Sequence, residues 1–368
     1  MVLVKAKRDE LLSPLSSVSG IIERRHTLPI LSNVLIERTA GKVSVLATDI
    51  EVQIKALADL DLDQEAQAIT VGARKLVDIL RALPEDAEVT LQMQDKRMLV
   101  KAGRSRFVLQ TLPAEDFPRL AKPAGEQARF ELPQKSLKRL LALVQYAMAQ
   151  QDIRYYLNGL LMVVDGGQLR LVATDGHRLA YAAMPLSAAL PRQEVIVPRK
   201  TVLELTKLLS DGEDQARVEL SSSQAAFSFG SVELISKLVD GKFPDYTRVI
   251  PTGNRNTVLL EREPLRQALL RAAILSNEKF RGVRWVLAQG SLKIVSSNAE
   301  QEEAEEVLEV AYGGDALDIG FNVNYLLDVL NNVDGTQLEC SFGDASSSAL
   351  LCVPSQTDFK YVVMPMRI

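Results

Sequence analysis

Hydrophobic residues recur every three or four positions in six segments of this chain, which is the spacing of helices that bury one face. Three of these segments precede a series of strands, and their apolar stripes are Leu11, Leu15, Val18 and Ile22; Leu137, Leu140, Leu141 and Val144; and Leu265, Leu269 and Ala272. Three more lie further along, with the stripes Leu76, Ile79, Leu80 and Leu83; Val202, Leu205 and Leu209; and Val323, Leu326, Leu327 and Leu330. The pattern therefore predicts six amphipathic helices.

Alternating β-rich segments follow the helices. Clear examples are residues 34–37, 43–47, 88–93, 97–102 and 106–111. About eight such strands accompany each pair of helices. Helices that bury one face against sheets make a layered α+β domain. The predicted fold class is therefore α+β, with two helices packed on antiparallel sheets in each domain.

The same order of elements occurs three times. The strands SVLATD (44–49), RLVATD (170–175) and KIVSSN (293–298) end 126 and 123 residues apart. The change from strand to helix at Val71, Val197 and Phe321 keeps this step, as do Phe117-Pro118 and Phe243-Pro244. A period near 125 is the size of a domain and too long for a solenoid repeat. We predict three similar domains at 1–125, 126–253 and 254–368, with joints at 121–127 and 251–256.

Composition places the chain among ordinary globular proteins. It has 368 residues, of which 47% are hydrophobic and 24% are charged. Neither a long apolar run nor a secretory signal is present, so we expect no membrane contact and a cytoplasmic location. Cys340 and Cys352 could form a disulfide or hold a metal, but two reduced strand cysteines are the simpler interpretation.

The net charge of −4 argues by itself against a nucleic-acid partner, but its distribution does not. The six predicted helices sum to +6 and the rest of the chain to −10. The helix cations are Arg74, Arg81, Lys135, Lys138, Arg139, Lys200, Lys207, Arg266 and Arg271. They would attract a polyanion if all six helices faced one way, although Lys and Arg also suit any solvated helix face. Neither a base-stacking pattern nor a recognition helix is present, so any contact with DNA is expected at phosphates.

Two further charge clusters are complementary. One contains Lys96, Arg97, Lys101, Arg104 and Arg106, and the other contains Glu300, Glu302, Glu303, Glu305, Glu306 and Glu309. They are either two solvated strand faces or the two halves of a contact between the first domain of one chain and the third domain of another. Such a head-to-tail contact closes a ring if the rotation fits. Phe107 and Leu109, with Ile274 and Leu275, would supply its apolar centre.

Motifs of catalysis are absent from the sequence. It has no GxxxxGK, GxGxxG, HExxH or GxSxG pattern and only two histidines. Asp59, Asp61 and Asp63 alternate with leucines, which fits a strand end or loop better than a metal site. Asp175, His177 and Arg178 form the best catalytic-looking cluster. The repeat places Asp49 and Asn298 at the position of Asp175, however, which favours a shared turn-forming role.

Six strings give a more specific indication: TLPIL (27–31), RYYLNG (154–159), ATDGHRLA (173–180), SKLVDGKFPDY (236–246), ILSNEKFRGVR (274–284) and YVVMPMRI (361–368). With them the chain resembles, over its full length, the bacterial sliding clamps, which are the β subunits of DNA polymerase III. The resemblance implies a DNA clamp fold in which two subunits join head to tail into a ring around duplex DNA. It implies a processivity factor rather than an enzyme, with neither cofactor nor metal. The implied partners are a second copy of the chain, the replicative polymerase, clamp-loader subunits, translesion polymerases and repair proteins.

The resemblance also implies three sets of site residues. The peptide-binding cleft would consist of Leu157, Thr174, His177, Arg178, Leu179, Pro244, Arg248, Val249, Asn322, Tyr325, Ser346, Val362, Val363, Met364, Pro365 and Met366. DNA-binding positions would be Arg25, Arg74, Gln151, Arg199 and Lys200. The dimer interface would join Phe107 and Leu109 to Ile274 and Leu275, and Arg97, Arg104 and Arg106 to Glu300, Glu302, Glu303 and Glu306. Ser346 and His26 depart from the Val and Pro that the family often has there.

Two other functions compete with a clamp. One is a sequence-independent DNA-binding module that works as an open monomer, which salt would release from linear and circular DNA alike. The other is an enzyme built on Asp175, His177 and Arg178, which would require a turnover activity that depends on His177.

Overall fold

The computed structural model describes residues 2–23, 27–39, 42–58, 60, 66–124, 128–354 and 356–368. The chain folds into two compact units. The first comprises Met1–Lys138 and Lys200–Leu238, and the second comprises Arg139–Arg199 and Val239–Ile368. Each unit thus contains one outer repeat and part of the central one. The domain limits at 125 and 253 remain a prediction.

All six predicted helices are present. They are α1 (Arg8–Val18), α2 (Ala73–Ala82), α3 (Gln134–Val144), α4 (Arg199–Leu208), α5 (Arg262–Ala272) and α6 (Val323–Asn332). Each of the first helices, α1, α3 and α5, has 11 residues and continues into a three-residue 3-10 turn: Ser19–Ile21, Gln145–Ala147 and Ala273–Leu275. Each of the second helices, α2, α4 and α6, has 10 residues and directly follows a strand. The repeat therefore extends to the length of individual elements.

The stripe of the first helix departs from the prediction at Ile22. The pattern puts this residue on the buried face of the helix, but the helix ends at Val18, and Ile21 is the residue that is fully buried. The reason is the 3-10 turn at Ser19–Ile21. A 3-10 helix advances each residue by a larger angle than an α-helix does, so the apolar face is reached one residue earlier.

The strands alternate with the helices as predicted. In chain order they are β1 (Val2–Lys7), β2 (Asn33–Thr39), β3 (Lys42–Thr48), β4 (Val52–Ala58), β5 (Gln67–Gly72), β6 (Glu88–Gln94), β7 (Arg97–Ala102), β8 (Ser105–Leu112), β9 (Ala128–Pro133), β10 (Gly159–Thr174), β11 (Arg178–Pro198), β12 (Gln215–Leu220), β13 (Gln224–Phe229), β14 (Val232–Lys237), β15 (Asn256–Glu261), β16 (Gly282–Ala288), β17 (Ser291–Ser297), β18 (Glu303–Glu309), β19 (Leu317–Asn322), β20 (Gln337–Phe342), β21 (Ala349–Val353) and β22 (Gln356–Val363). Every pairing between them is antiparallel.

The central repeat has fewer and longer strands than predicted. In the part of the chain that the structure describes, it has six strands, β9 to β14, where the outer repeats have eight each. Its β10 and β11 contain 16 and 21 residues, and each takes the place of two shorter strands. Their pairing shifts register between Val164 and Gln168, so a bulge marks the point where the other repeats break the strand.

The sheets run from one repeat into the next. The first unit contains a 12-stranded sheet in the order β1-β6-β7-β8-β5-β2-β3-β4-β14-β13-β12-β9. The second contains a six-stranded sheet, β10-β11-β22-β21-β20-β15, and a four-stranded sheet, β18-β17-β16-β19. The first two repeats meet where β4 pairs with β14, and the last two meet where β11 pairs with β22. We call these two places the first and the second joint.

The strands with an open side include β18, which is the edge of its sheet, and β8, which pairs with β5 only at Thr111 and Leu112, so that residues 105–110 pair with β7 alone. By their order in the repeat, β18 corresponds to β4, and β8 corresponds to β14. The chain therefore contains the strands of a third joint, β18 and β8, but these two strands do not pair with each other.

Aliphatic side chains from helices and sheets form the cores, as the stripes predict. In the second unit an aromatic cluster adds to them, with the ring centres of Trp285 and Phe321 5.7 Å apart and Phe342 against both. None of the helices in the described ranges is both long and apolar enough to span a membrane.

Candidate functional site

The same turn follows the repeated strand in all three copies. Oδ1 of Asp49 accepts hydrogen bonds from the backbone N–H groups of Glu51 and Val52, at 2.9 and 2.7 Å. Oδ1 of Asp175 accepts from His177 and Arg178 at 2.9 and 3.1 Å. Oδ1 of Asn298 accepts from Glu300 and Glu302 at 3.1 and 2.9 Å. The predicted turn-forming role is confirmed, and the role of Asp175 requires no acid–base chemistry.

Arg178 connects this turn to the second joint. Its side chain is only 10% exposed, and it donates to the carboxylates of Asp175 at 3.1 Å and Asp328 at 2.5 Å and to the carbonyl of Tyr146 at 2.6 Å. The guanidinium also lies 4.3 Å from the centre of the Tyr325 ring. A planar fork of donors suits three acceptors in different directions. Arg178 is therefore a fixed part of the wall around it rather than a free cation.

A cavity of about 450 Å³ opens beside this arginine in the second unit. Its lining is Arg154, Leu157, Thr174, Gly176, His177, Arg178, Leu179, Phe243, Pro244, Tyr246, Arg248, Val249, Ser348, Val362 and Met364. Leu157, Leu179 and Val362 are each 1% exposed and form an apolar floor. Val249 and Met364 are exposed at the rim. An apolar floor with a few polar groups at the rim suits a short hydrophobic peptide segment.

The C-terminal tail forms one side of this cavity. Beyond β22, the N–H of Met364 donates to the carbonyl of His177 at 2.9 Å, and that of Met366 donates to the carbonyl of Gly320 at 2.8 Å. Gly320 allows the approach, because a Cβ at this position would overlap the carbonyl oxygen of Met366. The tail is therefore held by two backbone hydrogen bonds, one to His177 and one to a glycine of β19.

Ten of the 16 predicted cleft residues line the cavity and six do not. The six are Asn322, Tyr325, Ser346, Val363, Pro365 and Met366. Asn322 caps α6 by accepting from the N–H of Asn324, and the Ser346 hydroxyl donates to Asp344 at 2.8 Å. The serine on the lining is Ser348, so the Ser346 departure does not change the wall of this cavity.

Sequence reasoning missed five residues of the lining: Arg154, Gly176, Phe243, Tyr246 and Ser348. Four of them lie within the strings on which the resemblance rests. Their closeness in sequence to the predicted cleft residues could therefore have identified them. Phe243 also belongs to the repeated Phe-Pro pair. Ser348 stands in a run of three serines, and nothing in the sequence distinguishes it from Ser346.

The predicted DNA-binding residues differ in their availability. Arg74 and Gln151 are exposed, and Gln151 has a positive φ of 56° on its loop. Arg199 is half-buried and donates to the carbonyl of Met148 at 3.3 Å, and burial, followed by the nearby Arg178, lowers its pKa. The ammonium of Lys200 donates to Ile21, Glu23 and Asp49, which uses its three protons. Arg25 lies outside the described residues, as does His26.

Most cations of the helices already have acidic partners. The pairs are Lys135–Glu213, Lys138–Asp211, Arg139–Asp334, Lys200–Asp49, Lys207–Glu204, Arg266–Glu263 and Arg271–Glu306. Within the described ranges Arg74 and Arg81 form no ion pair. The positive charge that the helices offer to a polyanion is therefore more modest than the sequence count indicates.

The predicted interface residues lie on exposed elements. Arg104 and Arg106 lie on the hairpin and strand of β8, and with Arg97 on β7 they form no ion pair in the described part of the chain. Ile274 is 77% exposed in its 3-10 turn. Glu306 departs from the prediction, because Arg271 of the same chain binds it through two hydrogen bonds of 2.8 and 2.6 Å and lowers its pKa.

Metal and redox chemistry find no support in the described residues. No group of three His, Cys, Asp or Glu side chains there could hold a metal ion. Cys340 and Cys352 are free thiols, and burial raises the pKa of both. Asp59, Asp61 and Asp63 lie outside the described residues.

Comparison with known proteins agrees with the threefold repeat. Models of the N-terminal, central and C-terminal domains of the DNA polymerase III β subunit match residues 3–121, 131–245 and 247–367. The chain therefore belongs to the bacterial β sliding clamps, the β subunits of DNA polymerase III, and is a processivity factor rather than an enzyme.

Individual relatives match over their whole length. The chain is 49% identical to the β sliding clamp of Salmonella typhimurium over 98% of its own length and 99% of the relative's. It is 48% identical to that of Escherichia coli K12 with the same coverage. The crystal structure of the DNA polymerase III subunit β from Pseudomonas aeruginosa superposes with a TM-score of 0.96, at 47% identity and complete coverage of both chains.

Proposed function

We propose that two copies of this chain join head to tail into a ring that encircles duplex DNA. The observation that carries the proposal is the unpaired third set of joint strands. Within the chain, β4 pairs with β14 and β11 pairs with β22, both antiparallel, while β18 and β8 keep open sides. Pairing β18 of one copy with β8 of another would complete the series and remove two exposed edges.

Charge and exposed apolar area support this pairing. The β8 side carries the unpaired cations Arg97, Arg104 and Arg106. On the β18 side, Glu300 and Glu303 have no ion-pair partner among the described residues. Val108 and Val307, which are 40% and 57% exposed on these two strands, would be covered along with Ile274. Complementary charge around an apolar centre is typical of a specific interface.

The double substitution Ile274→Ala and Leu275→Ala tests the dimer. Because Ile274 is exposed and Leu275 is only half-buried in their 3-10 turn, we expect folded monomers in sedimentation velocity with an unchanged circular dichroism spectrum. Ile153→Ala is the matched control, since that side chain is 97% exposed and lies on neither strand. A double variant that remains dimeric at nanomolar concentration would refute the interface.

The ring would hold DNA by enclosure, with phosphate contacts that are weak enough to permit sliding. Arg74, Arg199 and Gln151 are the described residues that we propose for these contacts, with Arg25 as a further candidate from the sequence. Lys200 is the remaining candidate from the sequence, although Glu23 and Asp49 already bind its ammonium. Enclosure gives persistence without tight binding, and it keeps a tethered polymerase at high effective concentration.

The cavity beside Arg178 would bind short peptides of the proteins that work on the enclosed DNA. We propose the replicative polymerase, clamp-loader subunits, translesion polymerases and repair proteins as the sources of these peptides, and the cytoplasm as the location. The supporting observation is an apolar floor of Leu157, Leu179 and Val362 beneath an exposed Met364. Methionine adapts to different apolar partners, which suits a site that several proteins share.

Deleting residues 364–368 tests the peptide site. The deletion removes Met364 from the lining and leaves both open strands intact, so we expect peptide binding to disappear and the dimer to persist. Fluorescence anisotropy with a labelled peptide from the replicative polymerase would measure the first effect, and sedimentation the second. Unchanged peptide affinity would contradict the assignment of the cavity.

A further inference from the structure

The two joints within the chain share a contact made by the second helix of a copy as well as a pair of strands. In the first joint, Lys200 is the second residue of α4, and its ammonium donates to the carbonyl of Ile21 at 3.0 Å and to the carboxylate of Asp49 at 2.5 Å. Ile21 ends the 3-10 turn of the first copy, and Asp49 forms its repeated turn. The second helix of one copy therefore binds the 3-10 turn and the repeated turn of the copy before it.

The sixth position of the second helix takes part in both joints. Glu204 of α4 lies against Gly20, since a Cβ at Gly20 would overlap its carboxylate. Asp328 of α6 accepts from Arg178, which also donates to the carbonyl of Tyr146 at 2.6 Å. Gly20 and Tyr146 are the middle residues of their 3-10 turns. The contact thus recurs at equivalent positions, although its chemistry differs.

The third set of these parts is uncovered. Arg74 and Asp78 occupy the second and sixth positions of α2, and both are exposed, whereas Glu204 is buried and Lys200 is half-buried. Ile274 is the middle residue of the remaining 3-10 turn and is 77% exposed. Arg74 forms no ion pair within the described ranges. The sixth position is at least partly buried in two copies and exposed in the third, which indicates a partner. The second position is covered in the first joint only, because Asn324 of α6 is exposed.

We propose that Arg74 of one copy binds the turn at residues 298–302 of a second copy, as Lys200 binds the turn at Asp49 within the chain. This inference rests on the head-to-tail dimer proposed above. Asn298 lacks the charge of Asp49, but its Nδ2 donates to the carboxylate of Glu302 at 2.6 Å. Glu302 therefore supplies at this turn the negative charge that Asp49 supplies in the first joint.

The contact gives Arg74 a role at the interface in addition to the DNA contact proposed above. The carbonyl of Leu275, which ends its 3-10 turn as Ile21 does, is a second acceptor for the guanidinium. Ile274 of the second copy would lie beside Asp78 on the same helix face, one turn from Arg74. Arg74 and Glu302 are both exposed in the free chain. The strength of the ion pair that they form between two copies should therefore depend on salt.

A double-mutant cycle on the dimer tests the contact without DNA. We expect Arg74→Ala and Glu302→Gln each to raise the dimer dissociation constant by roughly three- to tenfold. The dissociation constant of the double variant should be no higher than that of the more weakly dimerising single variant. Arg74→Lys should retain most of the affinity, because lysine performs this role in the first joint. Arg81→Ala, an equal charge change on the last turn of α2, is the matched control. Fluorescence-detected sedimentation gives the dissociation constants of the wild type and the five variants.

Two outcomes would overturn the inference: a dissociation constant that Arg74→Ala leaves unchanged, or effects of the two substitutions that simply add. Both leave the dimer itself standing. A wild-type protein that is monomeric at micromolar concentration would instead refute the proposed function. Thermal unfolding followed by circular dichroism checks that each variant is folded, which is expected because both side chains are exposed.

Discussion

At the scale of single residues, Arg178 stabilises the fold in addition to forming part of the cavity wall. It joins the turn of Asp175, the helix residue Asp328 and the carbonyl of Tyr146. Arg178→Lys keeps the charge but loses the planar fork, so at least one partly buried acceptor loses its partner. We expect the free energy of unfolding to fall by about 2 kcal/mol.

Urea denaturation measures this loss. Arg248→Lys is the matched control, because Arg248 lines the same cavity with a side chain that is 85% exposed and pairs only with Asp245. A change within about 0.5 kcal/mol is expected there. Equal stability of the Arg178 and Arg248 variants would show that the network around Arg178 does not contribute as its geometry indicates.

At the scale of elements, the tail depends on a glycine of the strand on which it lies. Gly320→Ala puts a Cβ against the carbonyl of Met366, a backbone atom that can move only if the tail moves. We expect peptide affinity to fall about tenfold, or about 1.4 kcal/mol, although no lining residue is changed. Isothermal titration with a polymerase-derived peptide measures the effect.

Gly282→Ala provides the comparison. The Cβ at Gly282 would lie 3.2 Å from the end of the Ile368 side chain, which can rotate away. Peptide affinity should therefore change little in this variant. If both alanine variants bind as the parent does, the position of the tail on β19 does not determine the shape of the cavity.

The sequence predicts those elements that the periodicity of hydrophobic residues and the repeat define. The stripes of Leu137 and Leu265 gave α3 and α5, and the repeated Asp49, Asp175 and Asn298 gave the three turns. Ile22 failed because the spacing of apolar residues cannot show where a helix tightens into a 3-10 turn. The pairing of Glu306 with Arg271 also escaped prediction, since the two residues are 35 positions apart and meet only through packing of α5 on β18.

The repeat also shows how one copy obtained its cavity. Leu179 lies on the cavity floor of the second copy, and the corresponding residue of the first copy is Gln53, since each is the first strand residue to pair back across its turn. The Gln53 side chain accepts from the N–H of Leu120 at 2.8 Å and so fixes the segment after Phe117-Pro118. An apolar residue at this position leaves the floor free for a ligand, whereas an amide holds the chain's own backbone.

At the scale of the whole molecule, the repeats are connected by the same type of strand pairing at each joint. Two joints are made within the chain, and in the proposed ring a second copy completes the third, so that closure requires only one new type of contact. Seven of the helix cations are paired with acids of the same chain, which moderates the attraction to phosphate. A protein that must slide gains from weak attraction, because tight phosphate contacts would slow its movement.

Persistence on DNA should therefore depend on the topology of the DNA rather than on salt. Protein placed by its loader on a nicked circular plasmid should remain bound through gel filtration in 0.5 M salt, because a closed ring leaves a circle only by opening. Cutting the same plasmid once with a restriction enzyme should release it within the time of the experiment, since the ring then slides off the ends. The Ile274→Ala, Leu275→Ala variant should be lost from both forms. Equal release by salt from circular and linear plasmid would identify an open groove that binds phosphate, and it would exclude enclosure.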